Sequence, residues 1–198
     1  MAIVAGTVLY ASSVDMNLPG IDQGYAPRQP IAFSHKLHGG ELRIPCQYCH
    51  SGAEKSRHAG IPSPSVCMNC HRFVTGASNA PKLEGNAAPV SEALKNLYDA
   101  VGYDPQKKEW DEKRAGKPIE WIRVHNLPDF VHFDHRPHVH AGVGCEQCHG
   151  PVGTMEKIVQ WSDLSMGWCV NCHRDVNKGQ IVDLHGKTVS TDCSVCHY

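Results

Sequence analysis

One five-residue pattern, Cys-x-x-Cys-His, occurs five times and uses all ten cysteines of the chain. The copies run from Cys46 to His50, Cys67 to His71, Cys145 to His149, Cys169 to His173 and Cys193 to His197. A Cys-x-x-Cys pair alone suits half a zinc site, a redox dithiol or a structural disulfide. Zinc knuckles do not need a histidine after the second cysteine, and a redox dithiol is expected once, near a βαβ pattern. Histidine makes up 14 of 198 residues, so chance placement of one after all five pairs is roughly a one-in-a-million event. The pattern reads instead as covalent haem attachment. Two thiols add to the vinyl groups and the adjacent imidazole binds the iron from the same side. The chain is therefore expected to carry five covalently bound haem c groups. Cys46, Cys49, Cys67, Cys70, Cys145, Cys148, Cys169, Cys172, Cys193 and Cys196 are the attachment residues. His50, His71, His149, His173 and His197 are the proximal iron ligands.

Five haems in 198 residues leave roughly forty residues apiece, too few for each to have a protein core of its own. The haems are expected to form the core themselves. Aromatic residues are only 7% of the chain, while Gly and Pro number 18 and 13. That balance predicts a few short α-helices, mostly loops and little β structure. The formal net charge of −1 gives no global field that would point to nucleic acid or an anionic membrane. Covalent haem attachment is completed outside the cytoplasmic membrane, so the chain is expected on the periplasmic side. Residues 1–10 form a short apolar run, half of the roughly twenty residues a spanning helix needs. With the linker up to residue 30 it reads as the remnant of a membrane anchor or as an apolar arm.

The remaining chain divides into a first dihaem unit at 31–73, an insertion at 74–124, and a second dihaem unit plus the fifth haem at 125–198. The halves are related by an internal repeat. Phe33-x-His35-x-x-His38, eight residues before Cys46, matches Phe133-x-His135-x-x-His138, seven before Cys145. Cys67-Met-Asn-Cys-His-Arg72 likewise matches Cys169-Val-Asn-Cys-His-Arg174. Within the insertion, Ser91 caps a predicted helix whose Leu94, Leu97 and Tyr98 share a face. Residues 106–117 read as a charged, solvated stretch, and alternation over 119–124 predicts a short strand or extended arm.

The second axial ligand decides between electron transfer and catalysis. Histidines three apart on a helical turn point in neighbouring directions, so each Phe-x-His-x-x-His can serve two haems. His35, His38, His135 and His138 are the expected distal ligands, with His125 as the fifth. Met155 and Met166 are its rivals, unless they pack as soft apolar filler. His58, His132, His140 and His185 read as solvent-facing or propionate-binding. No attachment histidine is replaced and no catalytic motif is present, so no catalytic site is expected. A multihaem reductase acting on an oxyanion would need an open iron.

Beyond these motifs, the strings Tyr25-Ala-Pro-Arg-Gln-Pro-Ile-Ala-Phe-Ser-His-Lys-Leu-His38, Lys117-Pro-Ile-Glu-Trp-Ile-Arg-Val-His-Asn-Leu-Pro128 and Leu164-Ser-Met-Gly-Trp-Cys-Val-Asn-Cys-His-Arg174 resemble the pentahaem cytochrome c subunits of alternative complex III. The resemblance covers the chain from about Tyr25 onward. It implies a multihaem cytochrome c of the class III, c7-like kind, acting as the electron-transfer subunit of a membrane quinol oxidoreductase. The implied partners are an iron–sulfur, molybdopterin-like subunit, a monohaem cytochrome c, integral membrane quinol-binding subunits and a periplasmic electron acceptor. An N-terminal membrane helix, also implied, is matched here only by the short apolar run. The alternative is a free periplasmic carrier like the c3 and c7 cytochromes, which would need neither that run nor the insertion.

Overall fold

The computed structural model describes residues 22–75, 91–111, 113 and 117–198. The expected apolar arm and the loop at the start of the insertion fall largely outside these residues. The described chain is a set of short helices joined by irregular segments: α1 (Cys46–Cys49), α2 (Pro64–His71), α3 (Glu92–Val101), α4 (His135–Ala141), α5 (Cys145–His149) and α6 (Met166–Asn177). A π-helical turn at Lys36–Glu41 and 3-10 turns at Val152–Thr154, Val182–Leu184 and Cys193–Val195 complete the helical content. The only sheet among the described residues is a two-residue antiparallel ladder, β1 (Tyr103–Asp104) with β2 (Glu109–Trp110). Few short helices, loops and almost no sheet are the cytochrome c7-like architecture expected.

Helix α3 forms as its sequence dictates. The Ser91 hydroxyl accepts from the Leu94 amide at 3.3 Å, and Gly102 ends the helix at φ 69°, a left-handed cap that glycine adopts without a Cβ clash. The apolar face buries Leu94, Leu97 and Tyr98 against Met68 of α2 and Tyr103. Two phenols lock this contact: Tyr98 donates to the His71 carbonyl at 2.8 Å and Tyr103 to the Arg72 carbonyl at 3.1 Å. The insertion is thus clamped onto the second attachment helix.

Two local expectations sharpen. The described residues of the charged stretch are exposed apart from half-buried Asp111, and its start is ordered: Asp104 Oδ1 accepts from the amides of Gln106 and Lys107, and this side-chain-stabilised turn closes the β1–β2 hairpin. Of the two readings of residues 119–124, the extended arm holds and the strand does not. Gln29 satisfies Ile122 in place of a neighbouring strand, donating from Nε2 to its carbonyl at 2.8 Å and accepting its amide on Oε1 at 2.9 Å. The segment is an extended arm with Val124 buried.

Apart from the cluster around α3, buried apolar side chains are scattered: Ala53, Val124, Met155, Val176 and Leu184. That is little for a chain of this length, as expected where a prosthetic group supplies the core. Truncating the α3 cluster with Leu97→Ala is expected to cost about 2–4 kcal/mol locally. Amide exchange over 92–110 should accelerate, with little change around Cys169–His173.

Candidate haem-binding site

Each attachment motif occupies a single helical turn. Sites are numbered I to V in chain order. Site I lies on α1, II on α2, III on α5, IV on α6 and V on the 3-10 turn Cys193–Val195. In a helix, residues i, i+3 and i+4 share a face, which brings two sulfurs and one imidazole to the same edge. The turns start cleanly: Ser165 accepts from the Trp168 amide at 3.2 Å, and Asp192 from the Ser194 amide at 2.8 Å. None of the ten cysteines is in a disulfide, and Cys46, Cys70, Cys145 and Cys193 are exposed. Among the described residues, no three or more His, Cys, Asp or Glu side chains converge on a point that could hold a metal ion.

The histidines are arranged in opposing pairs. His35 faces His50 with ring centres 6.5 Å apart and planes 5° from parallel. His38 faces His71 at 6.1 Å, His135 faces His149 at 6.4 Å and 6°, and His138 faces His173 at 6.2 Å. These separations are longer than the 4.9 and 4.3 Å of the Phe33 contacts with His35 and His38. They match one iron held between two imidazoles: metal–nitrogen bonds of about 2.0 Å, plus ~1.2 Å from each nitrogen to its ring centre, put the centres about 6.4 Å apart. The residues present fit the group that the motifs imply.

Hydrogen bonds fix the tautomers. Nδ1–H donates to a backbone carbonyl in His50 (Gly60, 2.7 Å), His71 (Val74, 2.8 Å), His173 (Ser190, 2.8 Å) and His197 (Phe130, 3.0 Å). The same holds for His38 (Ser34, 2.9 Å), His135 (Arg57, 2.9 Å) and His138 (Asp134, 2.8 Å). A donor on Nδ1 leaves the Nε2 lone pair free for a metal and orients the ring. Only His35 has a buried Nδ1 without a partner. Burial, with His50 and His38 alongside, holds His35 down to about 4. Burial also brings His149 to about 4, helped by His125, His135, His50 and His35, and lowers His138. In these three, burial favours the neutral ring.

Phe33 edges against His35 at 4.9 Å and stacks on His38 at 4.3 Å. Phe133 repeats this with His135 at 4.8 Å and His138 at 4.7 Å. The phenylalanine of each Phe-x-His-x-x-His is therefore a wedge that sets both rings, a role its repetition hinted at.

His125, the expected fifth distal ligand, lies against the site III attachment histidine: its Nε2 is 3.2 Å from His149 Nδ1, with the rings edge-on at 4.4 Å. His125 orients the site III histidine, where the other four attachment histidines use a backbone carbonyl. Met155 is buried and Met166 is 72% exposed, so the two rivals differ sharply. Met155 also supplies its carbonyl to the Lys36 amide at 2.9 Å. His197 is in ring contact with Phe130. His132 is neither free nor solvent-facing. Its Nδ1 accepts from Arg57 at 3.1 Å and its ring stacks on Tyr198 at 4.2 Å. His58, His140 and His185 are exposed.

Residues 131–198 match the family described as cytochrome c7 and related cytochrome c. The chain is 28% identical, over 193 residues, to the menaquinone reductase multiheme cytochrome c subunit of Nitratidesulfovibrio vulgaris (strain Hildenborough). The match covers 85% of this chain and 76% of that protein. Among the described residues no helix is long and apolar enough to cross a membrane.

The contact between His125 and His149 generates a prediction. His125→Ala should leave every haem of the holoprotein low-spin while shifting the electron paramagnetic resonance signature of site III alone. A new high-spin signal at site V would show that His125 is an iron ligand after all. Residues 131–198 are similar in sequence to cytochrome c7 and related cytochromes c, and the described residues, with few short helices and one two-stranded sheet, have the architecture of a multihaem cytochrome of that kind.

Proposed function

We propose that this chain is an electron-transfer subunit carrying five covalently bound haem c groups, on the periplasmic side of a membrane quinol-oxidising complex of the alternative complex III kind. The observation that carries the reading is the set of opposed imidazole pairs. His35 and His38, three residues apart, face the attachment histidines of two successive motifs, and His135 and His138 do the same. When bound, each haem supplies a one-electron iron couple. The residues do the rest. The cysteines would tether the haem and the attachment histidine would bind its iron. At sites I to IV the histidine from the Phe-x-His-x-x-His segment would bind from the other side, and the Nδ1 bonds keep all of these rings but His35 from turning. With two histidines engaged, these four sites suit electron transfer rather than bond chemistry.

Support for a complex-bound role comes from the relative, itself named as a subunit of a menaquinone reductase, and from the insertion clamped onto α2. The implied partners are an iron–sulfur, molybdopterin-like subunit, a monohaem cytochrome c, quinol-binding membrane subunits and a periplasmic acceptor. A second reading follows from the relative's name: electrons run toward menaquinone instead of away from it. The same ligand set serves both directions, and the relative potentials of quinone and partner choose between them.

Three measurements test the proposal. The intact mass of the holoprotein should equal the polypeptide plus five haems. His138→Ala should turn one haem high-spin; an unchanged low-spin spectrum would refute the pairing with His173. In membrane extracts the chain should co-purify with quinone-reactive subunits, and added menaquinol should reduce its haems. A chain recovered alone, monodisperse without detergent, would favour the free-carrier alternative.

A further inference from the structure

We infer that the five attachment sites stand in single file in the order II–I–III–IV–V, which is not their order along the chain. The inference rests on the haem-carrying reading and adds how the two halves are joined.

Within each half the sequence sets the neighbours. His35 and His38 tie site I to site II, and the Asn69 amide of α2 reaches the Tyr48 hydroxyl of α1 at 3.2 Å. His135 and His138 tie site III to site IV. Site V folds back on site IV: His173 donates to Ser190, and Asn177 bonds Val189 through both its amide and its carbonyl at 2.9 Å.

The join between halves is reciprocal. The turn carrying His35 and His38 packs on the segment just after site III. The Lys36 amide donates to the Met155 carbonyl at 2.9 Å, and Lys36 Nζ lies 3.3 Å from Glu156. Gly40 sits so close to Gly153 that a Cβ there would strike the Gly153 carbonyl. In return, the start of α4 packs on the segment just after site I. The His135 amide and Nδ1 both donate to the Arg57 carbonyl, at 3.1 and 2.9 Å, and Arg57 Nε donates to the Phe133 carbonyl at 3.0 Å. Each half thus holds the distal histidines of the other, as in a two-fold interface where the same patches meet. The pseudo-axis of such an exchange runs between sites I and III.

Sites II and V are then the ends. Site II is flanked by the insertion, through Tyr98 on His71 and Tyr103 on Arg72. Site V is flanked by exposed Phe130 and Tyr198. An electron exchanged with a partner at one end crosses the halves once, between I and III, each hop oxidising one iron and reducing the next.

The order can be read in the native holoprotein without any assay of activity. In the fully reduced, diamagnetic state, nuclear Overhauser contacts between porphyrin substituents should link II with I, I with III, III with IV and IV with V. Contacts linking II with III or IV, or none between I and III, would overturn the order. Gly40→Val provides a second arm: contacts between I and III should weaken while those within each half persist. Undiminished contacts between I and III would overturn the exchanged seam as their basis. The order would survive a failure of menaquinol to reduce the haems, so it stands or falls separately from the proposed function.

Discussion

Two imidazoles facing one another across about 6 Å are the constraint on which the rest of the structure depends. Burying such a pair costs solvation. Burial holding His35 and His149 near 4 expresses this cost. The arrangement makes sense with a group between the rings that draws on both Nε2 lone pairs. Backbone carbonyls on the far side keep each ring in register. The metal site and the fold are thereby one problem: the residues that aim the rings also join the loops.

This explains why so few apolar side chains are buried. A chain of this length ordinarily gains its stability from a continuous hydrophobic core. Here one small cluster, Met68 with Leu94, Leu97, Tyr98 and Tyr103, serves the insertion. The rest is held by short-range turns, the aromatic wedges Phe33 and Phe133, and the Arg57 joint, all arranged around the attachment sites. Arg57 is central to that joint. Its carbonyl orients His135 while its guanidinium binds the Phe133 carbonyl and His132. One residue of the first half thus sets a distal histidine of the second.

Much of this was legible in the residues. The attachment turns, the paired distal histidines and the α3 helix rest on contacts three and four residues apart, where spacing translates directly into geometry. What spacing left open involves a partner elsewhere in the chain. Residues 119–124 were open to a strand or an extended arm, and the side chain of Gln29, which meets Ile122, goes with the arm. The exposed stretch from residue 106 starts in a hairpin because Asp104, not a glycine, makes its turn. His125 meets His149, 24 residues away. His132 contacts Arg57 and Tyr198.

The sequence by itself determined the chemistry: five places where two thiols and an imidazole share one turn, and two segments each able to offer a pair of further imidazoles. That follows from covalent spacing and helical periodicity, which need no tertiary information. Only the tertiary structure decided which imidazole faces which, because each opposed pair closes a loop whose ends the spacing leaves free. It also decided that the halves exchange contacts across Gly40–Gly153 and Arg57–His135, and that His125 supports a ligand. Those outcomes depend on which carbonyl or lone pair happens to lie within 3 Å of a ring nitrogen, a matter of packing between segments remote in the chain.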